Sequence, residues 1–229
     1  MQSLNPVYFP ADTSIDVQIS SIRRLIRASM NGVVADEMRA KGLVYHQNFG
    51  VDLPRLREIA TLFAPSLPLA ERLWAIAARE TMILAFALAP SDSTPVDTTL
   101  KWLQSLPTNE MAETGSLLFF PRLPYVAQLV MDFSLDQPVA RLAMLLTAVR
   151  VHTRLSDHER QRLLNHCLTH LDADNFSICH ATGILLGNMA VIHTTMTDAI
   201  VTAVAPLANS PLANLRTVYD RVQQEVVNS

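Results

Sequence analysis

Two acids three residues apart, Glu110 and Glu113, lie in the run Thr108-Asn109-Glu110-Met111-Ala112-Glu113. Thr108 is a residue type that caps helices, and positions spaced by three are neighbours on a helix surface, so both carboxylates leave the same face of a first turn. A carboxylate held there can stabilise a developing positive charge or position a water. The same acids also complement the positive end of a helix with no chemistry involved. Arg141 is the next residue of interest. It falls in an apolar helix between Leu135 and Val149, where a charge needs a partner, and Glu110 or Glu113 is the obvious candidate.

Histidines and cysteines gather later in the chain. His166, Cys167 and His170 share one predicted helix, and Cys179 and His180 open the next. The four-residue histidine spacing is that of metal ligands. Amphipathic helices carry such residues far more often as core and surface filling, so no metal and no cofactor is expected. No Gly-rich phosphate loop, Gly-x-Ser-x-Gly elbow or His-Glu-x-x-His is present. The aromatic pair Phe119-Phe120 reads as a plug between packed helices.

The elements that must carry these residues are helical. Ile15, Ile19, Ile22 and Ile26 recur at helical spacing, and that helix is expected to end near Met30 with Gly32 as a left-handed cap. Further helices are predicted over Val33 to Lys41, Leu53 to Phe63, Ser66 to Ala77, Arg79 to Leu88 and Val96 to Ser105. Thr108 caps the next, to about Phe120; others end near Phe133 and run from Asp136 to Val151. Ser156 and Glu159 have capping-box spacing ahead of a helix to about Leu171. Asp174 to Ile192, Thr195 to Val204, and Pro211 to Val227 with Ser210 as cap complete the chain. Residues 1–13 read as a poorly ordered start. There is no convincing strand, and connections are short, as between antiparallel neighbours. Helix pairs recurring about every 35 to 45 residues fit a single domain over residues 1–229, a curved all-α superhelical stack of HEAT-like pairs. An ordinary helical bundle is the alternative that the pattern leaves open.

One stretch points to a family. After Met38-Arg39-Ala40-Lys41-Gly42-Leu43 comes the elbow Asn48-Phe49-Gly50-Val51-Asp52-Leu53-Pro54-Arg55-Leu56-Arg57, with Asp52 at an N-cap position and Pro54 in the first turn. This order of elements resembles the N-terminal part of the DNA alkylation repair (AlkD-like) family, superhelices of HEAT-like repeats that hold damaged DNA in a concave groove. Leu73-Trp74 and Arg79-Glu80 extend the resemblance. The family's Asn-Trp-Asp-x-x-Asp signature is matched here by residues 108–113. By that match Asn109 replaces the lesion-caging Trp, and Glu110 and Glu113 stand for the acids, Glu113 for the catalytic one. Arg141 matches a phosphate-contacting arginine. His180, Ile184 and Gly187 replace a lysine, a second cage Trp and a further arginine. Isoleucine offers no aromatic face to a cationic purine, so the resemblance implies a divergent member with an altered base-excision pocket.

The composition sets the frame for function. Hydrophobic residues make up 49% and charged residues 17%, so many helices must be covered on more than one side. No stretch reaches the ~18–20 apolar residues of a membrane span, and two cysteines make no disulfide framework, so a cytoplasmic location is expected. The net charge of −3 disfavours casual nucleic-acid binding, and a phosphate-binding surface must come from arginines that converge in space, such as Arg141, Arg150 and Arg154. Three functions follow. The first is an alkylation-repair-like protein that binds DNA or a DNA-associated partner without efficient base excision. The second is an alkylpurine DNA glycosylase that uses Glu113 or Glu110. The third is a protein–protein scaffold whose partner fills the concave groove.

Overall fold

The computed structural model describes residues 8–10, 12–131 and 137–228. Thirteen α-helices fill them, and the only strand-like features among the described residues are two isolated bridges, Phe9 with Phe63 and Gln47 with Ala78. Contacts divide the chain into two compact units, Met1–Leu123 and Pro124–Ser229.

The first unit holds α1 (Ile15–Ala28), α2 (Gly32–Ala40), α3 (Leu53–Ala60), α4 (Leu67–Ala75), α5 (Arg79–Leu88), α6 (Val96–Gln104) and α7 (Asn109–Leu118). α5 is its axis: nine of its ten residues are buried, and it packs on α3, α4 and α7. Such all-round burial explains why α5 has no polar face to reveal it as a surface helix. An aromatic cluster joins α4, α5, α6 and the end of α7. Trp74 stacks on Trp102 at 4.9 Å, and Phe86, Phe119 and Phe120 pack around them, all three fully buried. Phe9 lies within the stretch expected to be poorly ordered. It stacks on Phe63 at 4.7 Å and exchanges backbone hydrogen bonds with Leu62 and Ala64. Residues 1–7 and 11 of that stretch lie outside the described residues.

The second unit holds α8 (Val126–Val130), α9 (Pro138–Val151), α10 (Asp157–Thr169), α11 (Phe176–Ile192), α12 (Thr197–Val204) and α13 (Ala213–Val227). α11 is its centre, packed on α9, α12 and, most extensively, α13. Gly183 and Gly187 let α13 approach. A Cβ at Gly183 would come 2.9 Å from Arg221 Cβ and 3.3 Å from the Val218 backbone. Among the described residues no single helix is long and apolar enough to cross a membrane.

Local signals behave as the residues dictate. Asp52 Oδ1 accepts from Arg55 N at 2.8 Å, Thr108 Oγ1 accepts from Met111 N at 3.2 Å, and Ser156 with Glu159 forms the full capping box. Gly42 takes the left-handed φ of +84° that closes α2. Two cap expectations are corrected. Gly32 has no left-handed φ; it is the first residue of α2, whose cap is the Asn31 side chain on Val34 N. Ser210 does not cap α13, because Leu212 holds the N-cap position and Ser210 Oγ accepts from Leu212 N. The predicted boundaries at Phe133 and Asp136 lie outside the described residues.

Candidate functional site

Glu110 is the second residue of α7, two positions after the Thr108 cap, and its carboxylate reaches back to the start of α5. There it meets Arg79, the first residue of α5. Arg79 Nε lies 3.0 and 3.1 Å from the two carboxylate oxygens, and Nη2 lies 2.6 Å from Oε1. The phenol of Tyr45 donates to Glu110 Oε2 at 2.6 Å. Tyr45 has one hydroxyl proton, so Thr108 must be the donor in its 2.6 Å contact with that phenol oxygen. Burial pushes the Glu110 carboxyl upward, but the hydrogen bonds from Arg79 and Tyr45 outweigh it and hold the group below the usual carboxylate range. Burial, together with the bond to Glu110, raises Tyr45 well above an ordinary tyrosine.

The network continues inward. Arg79 Nη1 donates to Val51 O at 2.7 Å and to Glu80 Oε1 at 3.2 Å. Glu80 is completely buried and accepts from the backbone N–H of Phe49 and Val51, at 3.1 and 3.3 Å, while Arg79 N donates to Gln47 O. Both residues therefore clamp the elbow of residues 48–51 to the start of α5. This elbow has Gly50 at φ +68°, where a Cβ would fall 2.1 Å from Asn31 O. The resemblance singled out Arg79 and Glu80 without a partner. Tyr45 carried no signal, because nothing in a polar loop tells that it reaches a helix 65 residues on.

Glu113 stands apart from this network. It is exposed, and its side chain has no hydrogen bond or ion pair among the described residues. The two acids offered as alternatives are thus in different situations. Glu110 is held by Arg79 and Tyr45 and is largely buried, whereas Glu113 faces solvent. Asn109, matched to the cage Trp, is exposed. The chain has two tryptophans, and both belong to the aromatic cluster of the first unit: Trp102 is buried, and Trp74 is partly exposed, its Nε1 donating to Ser105 Oγ at 3.2 Å.

The arginines expected to converge lie in the second unit. Arg141 is half-buried, and its Nη2 donates to His170 O at 3.0 Å, so the partner it finds there is a backbone carbonyl and not a carboxylate. It borders an apolar cavity between α9, α10 and α11 that Met144, Leu163, His166 and Ile178 help to line. Burial, then the charges of His170 and Arg141, pushes His166 down to about 4. Arg150 is exposed and bonds back to Leu146 O at 2.8 Å; Arg154 is exposed in the turn after α9. Nine residues of helix place Arg150 about 180° around α9 from Arg141. These two arginines diverge, which corrects the expectation that all three form one patch.

The remaining matched positions lie on α11. His180 stacks on Phe176 at 5.4 Å, and Ile184 is partly exposed. Gly187 faces α13, where a Cβ would already lie 2.8 Å from Glu225 Cγ, so an arginine there would displace that helix's side chains. Cys167 is buried, with its thiol pushed up to about 12, and the Cys179 thiol donates to Asp172 O at 3.2 Å. No group of three or more His, Cys, Asp or Glu residues is arranged to hold a metal among the described residues.

No protein-family model and no curated protein matches the sequence. In structure, however, the chain is similar to a solved protein described as belonging to "a new family of proteins related to the HEAT-like repeat DNA glycosylases with affinity for branched DNA structures". The TM-score is 0.74 at 13% identity, over 92% of this chain and 94% of that one. The fold is HEAT-like. At this identity the likeness speaks for the HEAT-like architecture alone, and that is the architecture the elbow's resemblance implied.

Proposed function

We propose that this chain binds DNA, with a preference for branched structures, and does not excise alkylated bases. The observation that carries the reading is the fold likeness, along almost the whole chain, to a protein described by its affinity for branched DNA. Three features support the absence of excision. The two tryptophans stack on each other, with Trp102 buried, so Trp102 is closed to a cationic purine and one face of Trp74 is already covered. Glu110 is held by Arg79 and Tyr45, and the donors that keep its carboxyl below the usual range make it a weaker base toward water. Gly187 carries no side chain to reach a phosphate and is covered by α13.

The test is a pair of assays on the full chain. Fluorescence anisotropy with a labelled four-way junction and with a linear duplex of equal length should give tighter binding to the junction. Binding should weaken steeply as salt rises, since phosphate contacts release counterions. Methylated duplex DNA should release no modified purine above background. Excision by the wild-type chain that Glu113→Gln abolishes would instead establish a glycosylase, and the absence of DNA binding at low salt would refute the reading altogether.

A further inference from the structure

Helix α1 carries an unmatched cationic face. Ile19, Ile22 and Ile26 are buried, and they turn Arg23, Arg24 and Arg27 to solvent across about 100° of the helix surface. None of these arginines has a hydrogen bond or ion pair among the described residues. The acids of α1 and of α3 and α4, which pack on it, are already engaged. Asp16 of α1 pairs with Arg72, Glu58 of α3 with Arg55, Asp52 caps α3, and Glu71 of α4 accepts from the Thr98 hydroxyl. Arg55 also reaches the end of α1, donating from Nε to Ser29 Oγ at 3.1 Å, which brings a fourth guanidinium to the same end. A shallow surface depression runs from Arg24 back along the helix past Ser21 and Ser20, which offer hydroxyl donors, to Val17 and Asp16, whose carboxylate ends the cationic stretch.

Helix-dipole complementarity accounts for Arg27, in the last turn, but not for Arg23 and Arg24 one turn earlier. Like charges this close repel one another, so the arrangement calls for an anion. Arginine forks fit phosphate oxygens two at a time, and serine hydroxyls are common phosphate donors. From Arg23 to Arg27 the helix rises about 6 Å, comparable to two steps of a strand with one charge per ~3.4 Å.

We infer that Arg23, Arg24 and Arg27 form a docking face for the phosphodiester backbone of DNA. The inference rests on the DNA-binding reading above and places the contact on α1.

The deciding measurement is the salt dependence of junction binding by the full chain, between 50 and 200 mM KCl. Each phosphate contact contributes about 0.9 to the log–log slope. The triple variant Arg23→Ala, Arg24→Ala, Arg27→Ala should therefore flatten the slope by about 2 to 3, with an unchanged circular dichroism spectrum. Replacing the same three residues by lysine should keep the slope. If the wild type binds and the alanine variant keeps its slope, the docking face is refuted while the DNA-binding reading stands. If the wild type binds no DNA, the reading itself fails. A slope lost in the lysine variant as well, or binding only to phosphatidylserine vesicles, also overturns the inference.

Discussion

Arg79 Nη2 lies 2.6 Å from Glu110 Oε1, with only 3% of the arginine side chain exposed. That contact joins the first residue of α5 to the first turn of α7, and through Glu80 it also holds the elbow before α3. A buried guanidinium shared by two carboxylates is not easily replaced, because removing any member leaves another charge desolvated.

Stability should therefore respond strongly to this network. Arg79→Met is expected to cost about 3–5 kcal/mol, the range for breaking a buried pair, as read from the urea midpoint. The pH dependence follows from Glu110, whose folded carboxyl is held below its unfolded value by Arg79 and Tyr45 despite burial. Its contribution is complete above the unfolded carboxylate range and is lost as pH falls through the folded value. Between pH 6 and pH 3 the wild type should lose more stability than Glu110→Gln. Equal losses would show that Glu110 adds nothing to the fold.

The α5 boundaries, the elbow and three of the caps were legible because they rest on local rules: Asp52, Thr108 and Ser156 satisfy N–H groups within three residues. The HEAT-like fold was legible from helix length, short connections and the elbow. The site was much less so. Glu110 and Glu113 look equivalent at a spacing of three, yet one is locked by residues 31 and 65 positions away and the other faces water. Pattern cannot foresee which face of α7 meets Tyr45. Arg141 and Arg150 likewise look like a set until the helical repeat is applied, and it sends them to opposite sides of α9.

Gly115 is a packing constraint that no turn or cap reveals. A Cβ there would sit 2.5 Å from a ring carbon of Phe120 and 2.9 Å from one of Phe86. Both rings are fully buried in the aromatic cluster, so neither can swing into solvent. Gly115→Ala should cost about 1–3 kcal/mol as overpacking, although alanine favours helix elsewhere. A stabilised variant in chemical denaturation would mean that the cluster is looser than its geometry implies.

His152 and His193 form a second pH-sensitive joint. Nδ1 of one lies 2.9 Å from Nε2 of the other, so one ring must donate and the other accept. Burial lowers His152, followed by His193 and Arg160; burial also lowers His193, followed by Arg160, with Asp157 opposing. Folded values below the unfolded ~6.5 mean that the folded state binds fewer protons there. The stabilisation is present above the unfolded value and is lost as pH falls through the folded ones. The melting temperature should drop between pH 7.5 and pH 5, and His193→Gln should flatten that profile; an identical profile in the variant would rule the pair out as its cause.

Ala77 has φ +56°, the only positive value at a non-glycine position among the described residues. It ends the α4 segment and hands the chain to Ala78, whose backbone bridges Gln47 before Arg79 begins α5. The left-handed region costs a Cβ-bearing residue about 1–2 kcal/mol, and helices usually place glycine at such a turn. Ala77→Gly relieves that strain but gives part back through the freer unfolded chain. The net gain should be about 0.5–1 kcal/mol, or roughly 1–4 °C in melting temperature for a chain of this size. DNA binding should be unchanged, since the turn's direction is preserved. A lower melting temperature would mean that the junction holding Arg79 draws on the stiffness of Ala77.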